Sequence, residues 1–139
     1  MNGKSSGIAW NDIYKLGNEQ VDLQHKKLFE LVNDLIASCT NGSDLAKLSD
    51  TLNFLVNYTI RHFHYEEELQ LRHNYPEYDS HKKLHEEFKK TVGELVARFH
   101  ENGSSARLSA DINKVVIRWL ISHIQREDKK IGAFIRSKQ

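Results

Sequence analysis

The chain has 139 residues, with 20 Lys and Arg against 19 Asp and Glu, a formal net charge of +1 and 39% hydrophobic residues. That length suits one domain with a real core, and the balanced charge argues against a nucleic-acid or anionic-membrane surface as its main business. No apolar leader opens the chain and no run of about 18 apolar residues occurs in it, so neither a signal peptide nor a membrane span is expected, and the chain reads as cytoplasmic.

Residues 1–18 form an arm with Trp10 as its anchor. Helical periodicity sets in at about 19–38, where Val21, His25, Leu28, Val32 and Leu35 share one face. Cys39 cannot form an intrachain disulfide and is expected as a small hydrophobe at this helix end. The stretch TNGS, with Gly42 as stop signal, separates it from a second helix over about 43–73, which Ser43 can cap. The inward stripe of the second helix is Leu48, Leu52, Leu55, Thr59, His62, Glu66 and Leu69. Pro76 stands where a third helix can begin, over about 77–101, with His81, His85, Phe88, Val92, Leu95 and Phe99 inward. After NGSS, a fourth helix over about 109–136 opens near Ser109 and points Ile112, Val116, Trp119 and His123 inward, with Ile124, Ile131 and Ile135 alongside. Four amphipathic helices with short connections predict an all-α, up-down-up-down antiparallel four-helix bundle, forming a single domain over residues 1–139.

Five of the eight histidines fall on these stripes, and every helix contributes at least one; His64, His73 and His100 lie off them. One histidine on an apolar face is ordinarily a core residue with a hydrogen-bond partner. Five on converging faces would lack partners and would repel one another if protonated. His62 with Glu66, and His81 with His85, are spaced i, i+4, which puts both side chains on one helix face and allows them to chelate a metal. On the last helix, Glu127 at i+4 and Asp128 at i+5 from His123 compete for the inward position. Plain helical geometry favours Glu127, whereas a local π-type widening would bring Asp128 into line.

Zinc takes four ligands, often thiolates, and calcium or magnesium takes mostly oxygen. Five imidazoles with two carboxylates instead suit iron, manganese, cobalt or zinc at a binuclear centre. Two octahedral ions offer about twelve positions, and the five histidines, two bridging carboxylates and one shared oxo or hydroxo bridge fill all but one. An open position on one ion of a pair is where a small molecule such as dioxygen would bind.

The stretches VDLQH (21–25), HFHYEEE (62–68), YPEYDSHKKLHEEF (75–88) and WLISHIQREDKK (119–130) resemble the hemerythrins, in particular the single-domain bacteriohemerythrins. The match runs from about Trp10 to near the C-terminus in order, spacing and residue type. The resemblance implies a four-helix bundle with a non-haem di-iron centre, bridged by oxo or hydroxo, that binds dioxygen reversibly. His81, His85 and His123 would hold the six-coordinate iron. His25 and His62 would hold the other, which keeps the open site, and Glu66 and Asp128 would bridge. The family pattern has a His-to-Asp spacing of five, which selects Asp128 over Glu127. One departure stands out. After the acidic run the chain reads LQLRHNYP, where family members often carry a more apolar, Met-containing run, so an inward Gln70 or Arg72 would bear on the stability of the oxygen adduct.

Leu28, Phe29, Phe63, Trp119 and Ile124 lie one turn from these residues and would line a dry pocket, a role compatible with plain core packing. Asp22, three residues before His25, is either a hydrogen-bond partner of a ligand ring or solvated. The expected role is carriage, storage, delivery or sensing of dioxygen rather than catalysis, by a monomer or small homo-oligomer with room for an unidentified protein partner. The rival is a di-iron enzyme or scavenger acting on dioxygen, peroxide or nitric oxide; a zinc-binding or purely structural bundle ranks last.

Overall fold

In the computed structural model, residues 9–40, 45–102 and 106–138 are described. Ser43, Gly42 and the NGS stretch at 102–104 fall partly or wholly outside these residues, as does the side chain of Cys39, so the expectations placed on them concern parts not described. A 3-10 turn, Asp12–Tyr14, precedes α1 (Glu19–Thr40), α2 (Leu45–Arg72) and α3 (Tyr78–Asn102). The last helix, α4, runs from Ala106–Ile112 through Arg118–His123 to Lys129–Ser137, with two π-helical segments, Asn113–Ile117 and Ile124–Asp128, in between. The described residues are nearly all helical and contain no strand. No helix among them is long and apolar enough to cross a membrane.

The helix boundaries obey local chemistry. Asn18 caps α1, its side-chain oxygen accepting from the Val21 amide at 2.9 Å. The turn into that cap passes through Gly17 at φ +103°, a conformation that costs glycine little. At the far end of α2, Asn74 takes φ 55° and the Tyr75 amide donates to the Gln70 carbonyl at 2.9 Å, closing the helix in a left-handed turn. Helix α4 begins at Ala106, three residues ahead of the expected Ser109.

The predicted stripes are buried as a set. Leu28, Val32, Leu35, Leu52, Leu55, Phe88, Val92, Leu95, Phe99, Ile112 and Val116 form most of the main apolar core. A smaller cluster of Leu16, Val21, Leu69, Tyr75 and Ile131 closes the other end of the bundle. On α4 the burial departs from simple periodicity: Ile117 and Leu120 are buried while Trp119 is only half-buried. The π segment at Asn113–Ile117 adds a residue to the turn and rotates the rest of the helix relative to a plain α register.

The arm is seated by ring packing at Trp10 and by backbone contacts at Leu16. The Trp10 ring meets Phe29 edge-on at 5.3 Å and Tyr14 at 5.6 Å. Leu16 is 2% exposed, its amide donating to Asp22 Oδ1 at 2.8 Å and its carbonyl accepting from Arg136 Nη1 at 2.8 Å. Gly132 lies against the Leu16 backbone so closely that a Cβ there would stand 2.0 Å from the Leu16 carbonyl oxygen.

Candidate metal centre

Between the two apolar clusters lies a layer of seven buried polar side chains. Each helix supplies part of it: His25 from α1, His62 and Glu66 from α2, His81 and His85 from α3, His123 and Asp128 from α4. None is more than 4% exposed. The three histidines predicted to lie elsewhere, His64, His73 and His100, are at the surface.

Asp128 reaches the cluster because the helix widens into a π turn over Ile124–Asp128. The sequence left Glu127 and Asp128 open on periodicity alone, and the geometry places Asp128 inward at 1% exposure. Glu127 instead borders a solvent-open pocket with Arg126 and Ser122, and its carboxylate lies 3.5 Å from Lys130 Nζ.

The ligand-type atoms fall into two overlapping groups: Glu66, His81, His85, His123 and Asp128 in one, His25, His62, Glu66 and Asp128 in the other. The two carboxylates belong to both, and their oxygens divide between them. Glu66 Oε2 lies 3.0 Å from His25 Nε2 and 2.9 Å from His62 Nε2, and Asp128 Oδ2 lies 3.0 Å from His25 Nε2. Glu66 Oε1 faces His81 Nε2 at 3.2 Å and His85 Nε2 at 3.4 Å, while Asp128 Oδ1 faces His81 and His123 Nε2 at 3.1 Å each. His123 Nε2 is 3.0 Å from His85 Nε2 and 3.1 Å from His81 Nε2. Donors about 2.1 Å from a common ion and at right angles to each other would be spaced about 3.0 Å apart.

Outward ring nitrogens are held by residues that the stripes did not single out. His62 Nδ1 donates to Gln24 Oε1 at 2.6 Å, and His85 Nδ1 donates to Glu67 Oε2 at 2.8 Å. Each bond fixes its ring so that Nε2 presents a lone pair inward. Glu67, read from periodicity as lying off the buried stripe, is 9% exposed; the signal that could have found it is its place directly beside Glu66. Gln24 is likewise the immediate neighbour of His25. Asp22 is neither solvated nor bonded to a ring: it is buried and accepts from the Leu16 and Gly17 amides at 2.8 and 3.2 Å, fastening the arm.

The electrostatics expose a conflict that a cation resolves. Burial works against a charged His25, but hydrogen bonds to Asp128 and Glu66 outweigh it and lift its pKa to about 9. His81 is lifted in the same way to about 10. Burial pushes Glu66 up, yet His62, His25 and His81 outweigh it and hold the carboxyl well below the usual range. Asp128, also pushed up by burial and by Glu66, is held low by His123 and His25. His62 behaves differently, because burial dominates and keeps its ring neutral. With its Nδ1 against Gln24, His62 turns Nε2 onto a Glu66 oxygen 2.9 Å away. A separation of 2.9 Å suits two donors on one ion as well as it suits a hydrogen bond. A metal ion fits this donor set, because five imidazole nitrogens and two carboxylates converge here in two groups within reach of a common ion.

The predicted pocket residues divide. Leu28, Phe63 and Ile124 are 0–1% exposed in the main core. Phe63 stacks on His85 at 3.7 Å between centroids and 4° between planes, and Trp119 stacks on His123 at 4.4 Å and 11°. The ring contacts of Phe29 are with Trp10 and Tyr14, so it also seats the arm.

The sequence model described as hemerythrin HHE cation binding domain matches residues 16–135. A bacteriohemerythrin of Stenotrophomonas maltophilia is 32% identical over 122 residues, covering 88% of this chain and 77% of that protein. A myohemerythrin of Theromyzon tessulatum is 33% identical over 121 residues, covering 87% and 88% respectively. A solved wild-type hemerythrin crystal structure superposes with a TM-score of 0.82 at 26% identity, covering 91% of this chain and 95% of that one.

Proposed function

Because the chain belongs to the hemerythrin family, we propose that it binds dioxygen reversibly at a di-iron centre and is not an enzyme. His81, His85 and His123 would hold one ion, His25 and His62 would hold the other, and Glu66 and Asp128, which belong to both groups, would be shared between them. The observation that carries this reading is the division of the cluster into two overlapping groups that share both carboxylates, with the His62 ring held by Gln24 so that Nε2 faces Glu66. When bound, the metal pair supplies the electrons that dioxygen takes up on binding and returns on release.

The protein's own part is to hold donors and exclude water. Gln24 and Glu67 orient the His62 and His85 rings. Leu28, Phe63 and Ile124 wall the histidine side with carbon, and half-buried Trp119 covers the His123 ring, which together limit the access of water and protons that would turn reversible binding into loss of a reduced oxygen species. Oxygen-activating ferritin-like sites are richer in carboxylate and carry Glu-x-x-His pairs. Five histidines against two carboxylates favour binding over activation.

The test is metal content and the visible spectrum of the purified protein, reduced without air and cycled between dioxygen and inert gas. Two irons per chain and a band that appears in oxygen and fades without it are expected. Iron that bleaches once and does not recover would favour an enzyme or scavenger of dioxygen, peroxide or nitric oxide. One metal per chain, or zinc, would refute the ligand assignment.

A further inference from the structure

Gln70 stands where the resemblance leads to an apolar residue. It is 0% exposed, and neither its amide nitrogen nor its amide oxygen has a hydrogen-bond partner among the described residues. Four residues after Glu66, it occupies the same face of α2 one turn on. Its sequence neighbours on this turn, Leu69 and Tyr75, belong to the apolar cap with Leu16, Val21 and Ile131. Gln70 therefore sits at the seam between the seven-residue cluster and the cap. Its backbone carbonyl is already engaged by the Tyr75 amide at 2.9 Å, so only the side chain is in question.

A buried primary amide with no partner is destabilising, and native interiors almost always satisfy such groups with protein or with ordered water. The side chains of the cap are carbon except for the Tyr75 hydroxyl. On the other side of the seam are Glu66, one turn back on the same face, and the His81 ring, which meets Tyr75 edge-on at 6.5 Å. A guest that satisfies the amide there must both donate and accept, and must be small. We propose that Gln70 holds an ordered water between its amide and the carboxylate of Glu66, one turn back on the same helix face. The water accepts from the amide N–H, donates one hydrogen back to the amide oxygen and donates the other to a Glu66 oxygen. It thus places one polar contact beside Glu66, a residue shared by both halves of the site. Gln70 holds this water whichever metal the cluster takes.

The experiment uses the protein as purified, with its metal bound. A high-resolution crystal structure should show a water within about 3 Å of the Gln70 amide, and that water should be absent from Gln70→Met. The melting temperature of Gln70→Met and of Gln70→Leu, at equal metal content, should be unchanged or lower, because the apolar side chain strands the carboxylate partner of the water. A dry amide predicts the opposite: replacing an unpaired buried amide with Met of similar size should raise the melting temperature by several degrees. A rise in either variant, or no water beside Gln70 in the wild-type crystal, would overturn the proposal. Both readouts can fail while the protein still cycles with oxygen, so they are separate from the fate of the di-iron reading.

Discussion

Gly132→Ala adds one methyl group and should unseat the arm. The new Cβ would stand 2.0 Å from the Leu16 carbonyl oxygen and 2.9 Å from its carbonyl carbon, both backbone atoms. Ordinary contact needs more than about 3.4 Å between such atoms, so Leu16 must move away by more than an ångström. That movement breaks the bond from Arg136 to the Leu16 carbonyl and those from the Leu16 and Gly17 amides to Asp22. At about 0.5–1.5 kcal/mol each, the bonds account for roughly 2–4 kcal/mol. Partial exposure of Leu16, which is 2% exposed in place, adds about 1–2 kcal/mol. Better helix propensity returns about 1 kcal/mol. The expected net loss is about 2–5 kcal/mol, a fall of roughly 6–20 °C in melting temperature for a chain of this size.

Gly93→Ala is the control, since a Cβ there meets nothing within 4 Å. It should gain about 0.5–1 kcal/mol from the same change of residue type. Urea unfolding monitored by circular dichroism measures both. A chain lacking residues 1–17 should lose the penalty at Gly132, because the clash partner is gone. Equal stability of the two alanine variants in the full chain would refute the seating of Leu16 on α4.

Asp128→Asn should lower the metal affinity at least about 10–100-fold, read as metal retained after dialysis, whereas Glu127→Gln should leave it unchanged; the reverse pattern would place the π turn in the wrong register. Replacing Phe63 with Asn puts an amide against His85 and should shorten the lifetime of the oxygen-dependent colour, with Phe63→Leu as the apolar control; equal lifetimes would deny the ring a water-excluding role. In the chelator-stripped protein, His25 at about 9 and His81 at about 10 lie above the ordinary 6.5. Their stabilising charge is fully present below about pH 6.5 and is lost as pH rises through 9 to 10. The stripped chain should therefore melt lower at pH 10 than at pH 7, and metal uptake at pH 7 should release protons to a pH indicator. A stripped chain that melts higher at pH 10 would contradict the ion pairs.

Much of this site was legible because helical periodicity is local. A buried face repeats every three to four residues, so His25, His62, Glu66, His81, His85 and His123 could be read as inward from the apolar residues around them. The same periodicity yielded the four helices and their order, and the motifs it exposed resembled one family closely enough to name it. The sequence could not choose between Glu127 and Asp128 by periodicity, because a π turn is a local excess that only the family pattern or the folded helix reveals. It also missed Leu120, whose place comes from the first π segment of α4. Gln24 and Glu67 escaped notice because they flank the inward stripe and find His62 and His85 only across a neighbouring helix. Asp22, three residues from a candidate ligand, turned to the backbone of the arm instead. Gln70 was visible as a departure, but only packing decided that it faces inward with no partner among the described residues. Faces are set by the turn of a single helix, which the sequence carries. Partners are set by how helices meet, which depends on every side chain between them.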